Sequence, residues 1–179
     1  MTNPIRPGEL PRAALLQPFR AAGAFVDCYV CEVEGPVSHA AFVEAFYTTP
    51  LFKLERTLLR WLAGRPATDA DARRLAQGGS QAFSAWRVEA RAADQLLLAD
   101  FTGRTKSWLM VEAVSSAEGR SQIRLYFGSV VVPKKGSARR PPRMGFGFHA
   151  LLGFHRLYSR LLLSAARSRV LDQQPNAAP

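Results

Sequence analysis

A chain of 179 residues, 47% of them hydrophobic, is long enough to bury one core without disulfide or metal staples and too apolar to be disordered throughout. Lys and Arg outnumber Asp and Glu by 24 to 14, a formal net charge of +10, which admits nucleic acid, an anionic membrane or an acidic ligand as partner, and equally a plain basic surface. There is no apolar run of about 18 residues for a membrane span, no unbroken apolar stretch at the N-terminus for a secretory signal, and no disulfide framework in two cysteines, so a cytoplasmic protein is expected.

Residues 1–20 are punctuated by Pro4, Pro7, Pro11 and Pro18 and carry little periodicity, which predicts an extended lead-in rather than a helix. The domain itself is expected over 21–170, with a disordered tail over 171–179. Ala24 to Val33 is rich in β-branched and aromatic residues and stops at Gly35-Pro36, as a strand would. Ser38 is placed to cap a short helix from His39 to Tyr47, and Pro50 to open a second that Gly64 ends. In that second helix Leu51, Phe52, Leu54, Leu58, Leu59, Trp61 and Leu62 share one broad arc, the expected core face. Lys53, Arg56, Thr57 and Arg60 fall opposite, and Glu55 lands among the apolar residues. Thr68 or Asp69 caps a third helix up to Ala76.

Strand patterns follow over Phe83–Arg91, Gln95–Phe101, Thr105–Val114 and Gln122–Val132. Their short connections predict an antiparallel meander. The segment PKKGSARRPPRM gathers Lys134, Lys135, Arg139, Arg140 and Arg143 in a Pro- and Gly-rich loop, either solvated or anion-binding. Gly145 to Val170 reads as one amphipathic helix of about seven turns. Leu151, Phe154, Tyr158, Leu161, Leu162 and Ala165 form its apolar face, His155 lies at the edge, and His149, Arg156, Arg160 and Arg167 gather opposite. The order is α+β: a sheet clasping a long closing helix.

The runs FSAWRVEAR, LLLADFTGRTKSWLMVE, RLYFGSVVVP and LLGFHRLYSRLL resemble an uncharacterised bacterial domain family that also occurs fused behind NAD-binding epimerase-like domains. Trp86-Arg87-Val88-Glu89 and Gly153-Phe154-His155 are the most specific of the shared motifs, and the likeness covers roughly Asp27 to Ala166. That family looks like part of the START-related (SRPBCC, polyketide cyclase-like) helix-grip superfamily. The resemblance implies a cavity between the sheet and the closing helix. No nucleotide-binding half is present here, so a fused partner's redox role does not carry over.

A cavity of that kind binds small hydrophobic or aromatic molecules, and Trp86, Trp108, Met110, Tyr126, Leu151, Phe154, His155 and Tyr158 are its expected lining. The same pocket can serve a cyclase or isomerase, with Glu55 as base and His155 or Tyr158 as orienting acid. Each of these residues has a plainer reading: Glu55 in an ion pair, His155 as a hydrogen-bonded core residue, the aromatics as packing. A third reading is an interaction protein that presents the basic loop and the Arg156, Arg160 and Arg167 face to an acidic partner, lipid or nucleic acid. Cys28 and Cys31 make a C-x-x-C, but on a strand they face opposite ways, and the three histidines share no metal-ligand spacing. No metal or cofactor site is expected.

Overall fold

The computed structural model describes residues 4–115, 119, 121–132 and 146–174, with 59, 62, 63 and 146–155 described by their backbone only. Among the described residues the architecture is α+β: seven antiparallel strands in one open sheet, three helices between the second and third strands, and a long C-terminal helix. The strands are β1 (Arg6–Pro7), β2 (Phe25–Glu34), β3 (Ala82–Phe83), β4 (Trp86–Arg91), β5 (Gln95–Asp100), β6 (Thr105–Ser115) and β7 (Ser121–Val131). They lie in the order β1-β2-β7-β6-β5-β4-β3, so both rims of the sheet are two-residue strands. The helices are α1 (Gln17–Ala21), α2 (His39–Tyr47), α3 (Pro50–Ala63), α4 (Asp69–Ala76) and α5 (Phe146–Gln173).

Local chemistry sets the boundaries. The Ser38 hydroxyl accepts from the Ala41 N–H at 3.1 Å and starts α2. Thr49 Oγ1 accepts from the Phe52 N–H at 3.1 Å, and Pro50 then opens α3, where a missing N–H costs nothing. Thr68 and Asp71 form a reciprocal capping box on α4. Between β3 and β4 the turn takes Ser84 to a φ of 53°, a left-handed conformation that its hydroxyl helps to hold by donating to the Arg65 carbonyl at 3.1 Å. Asp100 organises the β5–β6 turn by accepting from the Thr102 hydroxyl and the Arg104 N–H, both at 2.9 Å.

The sheet is covered on both faces. Helices α2, α4 and α5 pack on one face over Tyr29, Cys31, Leu96, Leu98, Leu109, Leu125 and Phe127. On the other, Leu10, Ala14 and Leu16 of the lead-in meet Cys28, Val30, Leu97, Trp108, Met110, Tyr126 and Val130. Two-sided burial explains why Gln95 to Leu98 and Lys106 to Met110 are buried without alternation. The lead-in therefore differs from the extended segment expected of it. It forms β1, pairs with β2 through Arg6–Val30 and Pro7–Tyr29, and includes the helix α1. Gln95 fastens it: its Oε1 accepts from the Leu15 N–H and the Trp108 indole N–H, both at 2.9 Å, while its Nε2 donates to the Ala13 carbonyl at 3.0 Å.

Candidate functional site

Helix α3 sits differently from the expected arrangement. Phe52 and Arg56 turn inward and are 2% and 7% exposed, whereas Leu54, Leu58 and Trp61 of the expected core face point outward. The reason is long-range. Asp69, at the start of α4, accepts from Arg56 Nη2 and pairs with Lys53 Nζ, both at 2.6 Å, which draws the polar edge of α3 towards the protein. The Arg56 guanidinium also lies 5.9 Å from the centroid of the Phe83 ring.

Phe83 is the hub of an aromatic nest. Tyr47 approaches it at 5.4 Å and Phe52 at 6.2 Å between ring centroids, and Trp86 is its cross-strand partner. Polar groups are set among these rings. The Tyr47 hydroxyl and Ser107 Oγ share a buried hydrogen bond of 3.0 Å. The Tyr158 hydroxyl donates to the Glu55 carboxylate, linking α5 to α3. The Trp86 indole N–H faces the same carboxylate and favours its charged form, though it falls short of hydrogen-bond geometry and is buried without a partner. Arg56 Nε and Nη1 are also buried without a partner.

Burial pushes the Glu55 carboxyl above the usual range, against the opposing effects of Tyr158 and Trp86. Burial, reinforced by the negative charge of Glu55, drives the Tyr158 hydroxyl far upward. Tyr158 is therefore a donor at any physiological pH. Tyr47 is likewise raised, chiefly by burial.

Of the expected lining, Trp86 and Tyr158 lie on the helix side of the sheet. Trp108, Met110 and Tyr126 do not: they point through the opposite face into the cluster under the lead-in. One cavity cannot be lined by both groups. Alternation fixes which residues of a strand share a face, and Trp108, Met110 and Tyr126 share theirs, but it is the wrong face for α5. The Trp108 N–H goes to Gln95 and the Tyr126 hydroxyl to Glu112 at 2.7 Å. The side chains of Leu151, Phe154 and His155 lie outside the described residues, as do Lys134, Lys135, Arg139, Arg140 and Arg143 of the basic loop. Arg156 and Arg160 are exposed, and Arg167 is partly buried.

Sequence reasoning missed Arg56, Tyr47 and Ser107. Tyr47 closes a largely apolar helix, a place where a hydroxyl needs a partner, and that was the available signal. Arg56 gave none, because its partner Asp69 belongs to the next helix.

A sizeable cavity lies elsewhere. It has a volume of about 570 Å³ and sits between the start of α2, β7 and the last turn of α5, lined by Val37, Ala41, Ile123, Val170 and Gln173 among others. Its lining contains no acid or base. Cys28 and Cys31 face opposite sides of the sheet, and burial pushes both thiols up to about 12. They are inert packing groups at neutral pH.

No protein-family model and no curated protein matches this chain.

Proposed function

We propose that the protein is a helix-grip domain that binds a small hydrophobic or aromatic molecule between its sheet and its C-terminal helix, with the nest around Phe83 as the polar end of the site. One observation carries this reading. Arg56 Nε and Nη1 are buried without partners beside the Phe83 ring, and the buried Trp86 indole N–H, on the cross-strand neighbour of Phe83, faces the Glu55–Tyr158 pair without completing a hydrogen bond. Buried donors without partners are costly, and a bound acceptor oxygen would satisfy them. An apolar surround with a few convergent polar groups is the usual composition of a small-molecule site. The ligand this describes is largely apolar and carries a carbonyl or carboxylate. The START-related resemblance points to the same class of ligand.

The test is native mass spectrometry of protein purified from its own host. The expected result is a retained mass of small-molecule size that is lost on denaturation and absent from Arg56→Met. Ligand-free protein that also shows no thermal shift with apolar carboxylic acids would overturn the reading.

A second reading is supported by the state of Glu55. A carboxyl displaced upward by burial and held by a tyrosine donor is suited to proton transfer, as in a cyclase or isomerase. If the pocket is catalytic, the recovered ligand exchanges a carbon-bound proton with deuterated solvent in the presence of the protein, and Glu55→Gln abolishes the exchange. Equal exchange with and without protein would leave carriage as the function.

A further inference from the structure

Helix α3 turns much of its apolar arc to the outside. Leu54, Leu58 and Trp61 are 68%, 56% and 79% exposed. At 100° per residue they span about 60° of the helix surface, with the buried Phe52 and Arg56 on the opposite side. Helix α5 repeats the arrangement. Leu157 and Leu161, one turn apart, are 57% and 50% exposed, while Leu162, Leu163 and Ala166 are buried on the far side. The Glu55–Tyr158 hydrogen bond ties the two helices together, and the exposed Leu54 and Leu157 each immediately precede one of its partners. The apolar residues are therefore carried on two helices joined at one point. Isolated exposed leucines are ordinary; this many on two joined helices mark a contact surface.

Charge selects the partner. Arg160 is exposed on the flank of the Leu157–Leu161 stripe, where it also donates to the Ile5 carbonyl, and Arg60 and Arg156 are exposed further round the same two helices, on long side chains that can reach towards the apolar edge. Among the described residues of α3 and of α5 from 156 onward, the acids are Glu55, which holds Tyr158, and Asp172, about 17 Å along α5 from Leu161. A second copy of the chain would oppose arginine to arginine with no acid between them. A nucleic acid would engage the arginines and leave the leucines and Trp61 in water. An anionic bilayer meets both requirements, with acidic headgroups for the arginines and an acyl boundary for the apolar side chains.

We propose that the outer surface of α3 and α5 docks on an anionic lipid bilayer, with Leu54, Leu58, Trp61, Leu157 and Leu161 entering the headgroup–acyl boundary and Arg60, Arg156 and Arg160 contacting lipid headgroups. The helices lie on the membrane and do not cross it: among the described residues no helix is long and apolar enough to span one. This surface is independent of the ligand site, and either can fail without the other.

The experiment uses the full chain with vesicles of phosphatidylcholine, alone or mixed with phosphatidylserine. The protein is expected to sediment with the mixed vesicles, less so with phosphatidylcholine alone, and less at high salt. Tryptophan emission shifts to the blue on binding, and Trp61→Phe removes the shift, because Trp108 is buried and Trp86 partly so in the free protein. Leu58→Gln lowers partitioning roughly 10-fold, the loss expected for one leucine kept out of the acyl boundary. Arg60→Gln lowers it about 5-fold. Both side chains are exposed, so each variant is expected to unfold at the same denaturant concentration as the parent chain. Three results would overturn the proposal: no partitioning into mixed vesicles, partitioning that Leu58→Gln leaves unchanged, or a concentration-dependent dimer that Leu58→Gln dissolves while vesicles fail to bind. Retention on RNA with the same insensitivity to Leu58→Gln would assign the arginines to nucleic acid instead.

Discussion

The hydroxyl of Tyr158 donates to the carboxylate of Glu55 across 103 residues of sequence and joins the closing helix to the helical insertion. Burial raises the pKa of Glu55 in the folded state above its unfolded value, so the folded protein binds the proton more tightly there. The contribution of this group to stability is therefore complete below the ordinary glutamate range and is lost as pH rises through the raised value. Denaturant midpoints measured across pH should show this decline in the parent chain and not in Glu55→Gln. In Tyr158→Phe the carboxylate loses a donor, so its titration, followed by carbon NMR of the carboxyl, should move higher still. Loss of a hydrogen bond to a carboxylate should also cost roughly 1.5–3 kcal/mol.

Gln95 is expected to be the most sensitive polar residue behind the sheet. Gln95→Leu leaves the Trp108 and Leu15 N–H groups and the Ala13 carbonyl without their partner. Each buried group left unsatisfied costs about 1–3 kcal/mol, and the lead-in can reach water by lifting away, so the net loss should be about 3 kcal/mol. Hydrogen exchange provides the specific signature: the Leu15 amide should lose protection while the β6–β7 ladder keeps it.

Arg56 separates stability from binding. Its Nη2 has Asp69, but Asp69 keeps Lys53 when Arg56 is removed, and two of the Arg56 nitrogens are unpartnered. Arg56→Met retains the volume beside Phe83 and should lie within about 1 kcal/mol of the parent in denaturant unfolding. The same variant should lose the retained ligand. A large loss of stability would mean that the guanidinium is satisfied within the chain and is not waiting for an acceptor.

Gly128 should tolerate no side chain. A Cβ there would lie 2.8 Å from Leu16, 2.9 Å from the Asp27 carbonyl oxygen and 2.9 Å from the Trp108 ring. Leu16 can move, but the backbone oxygen and the packed indole cannot. Gly128→Ala should cost about 1–3 kcal/mol, measured by chemical unfolding, and should perturb the indole signal of Trp108.

The parts of the fold visible in the sequence are those decided within a few residues. Ser38 and Thr68 cap helices whose first turns complete the bond, and the meander from β4 to β7 follows from short connections between strand-like runs. The less visible parts depend on distant partners. Periodicity gave α3 an apolar arc, but Asp69 and Phe83 decide which edge of it faces inward. Aromatic character put Trp108, Met110 and Tyr126 in one lining with Trp86 and Tyr158, but the return of Leu10 to Leu16 across the back of the sheet gives the first three a cover of their own. Glu55 and Tyr158 each stand out on a helical wheel. Their contact needs the crossing of α3 and α5, which no local pattern encodes.

The two rims of the sheet have a further consequence. The ladder ends on Arg6–Pro7 at one side and Ala82–Phe83 at the other, strands too short to template an added chain, and Pro7 offers no N–H. Behind the first rim lies β2, ten residues that include Phe25, Val26, Val30 and Val33. Proteolytic removal of the chain up to Gly8 would free the middle of that strand, where Tyr29 and Val30 now pair with Pro7 and Arg6, and lengthen the margin open to strands from neighbouring molecules.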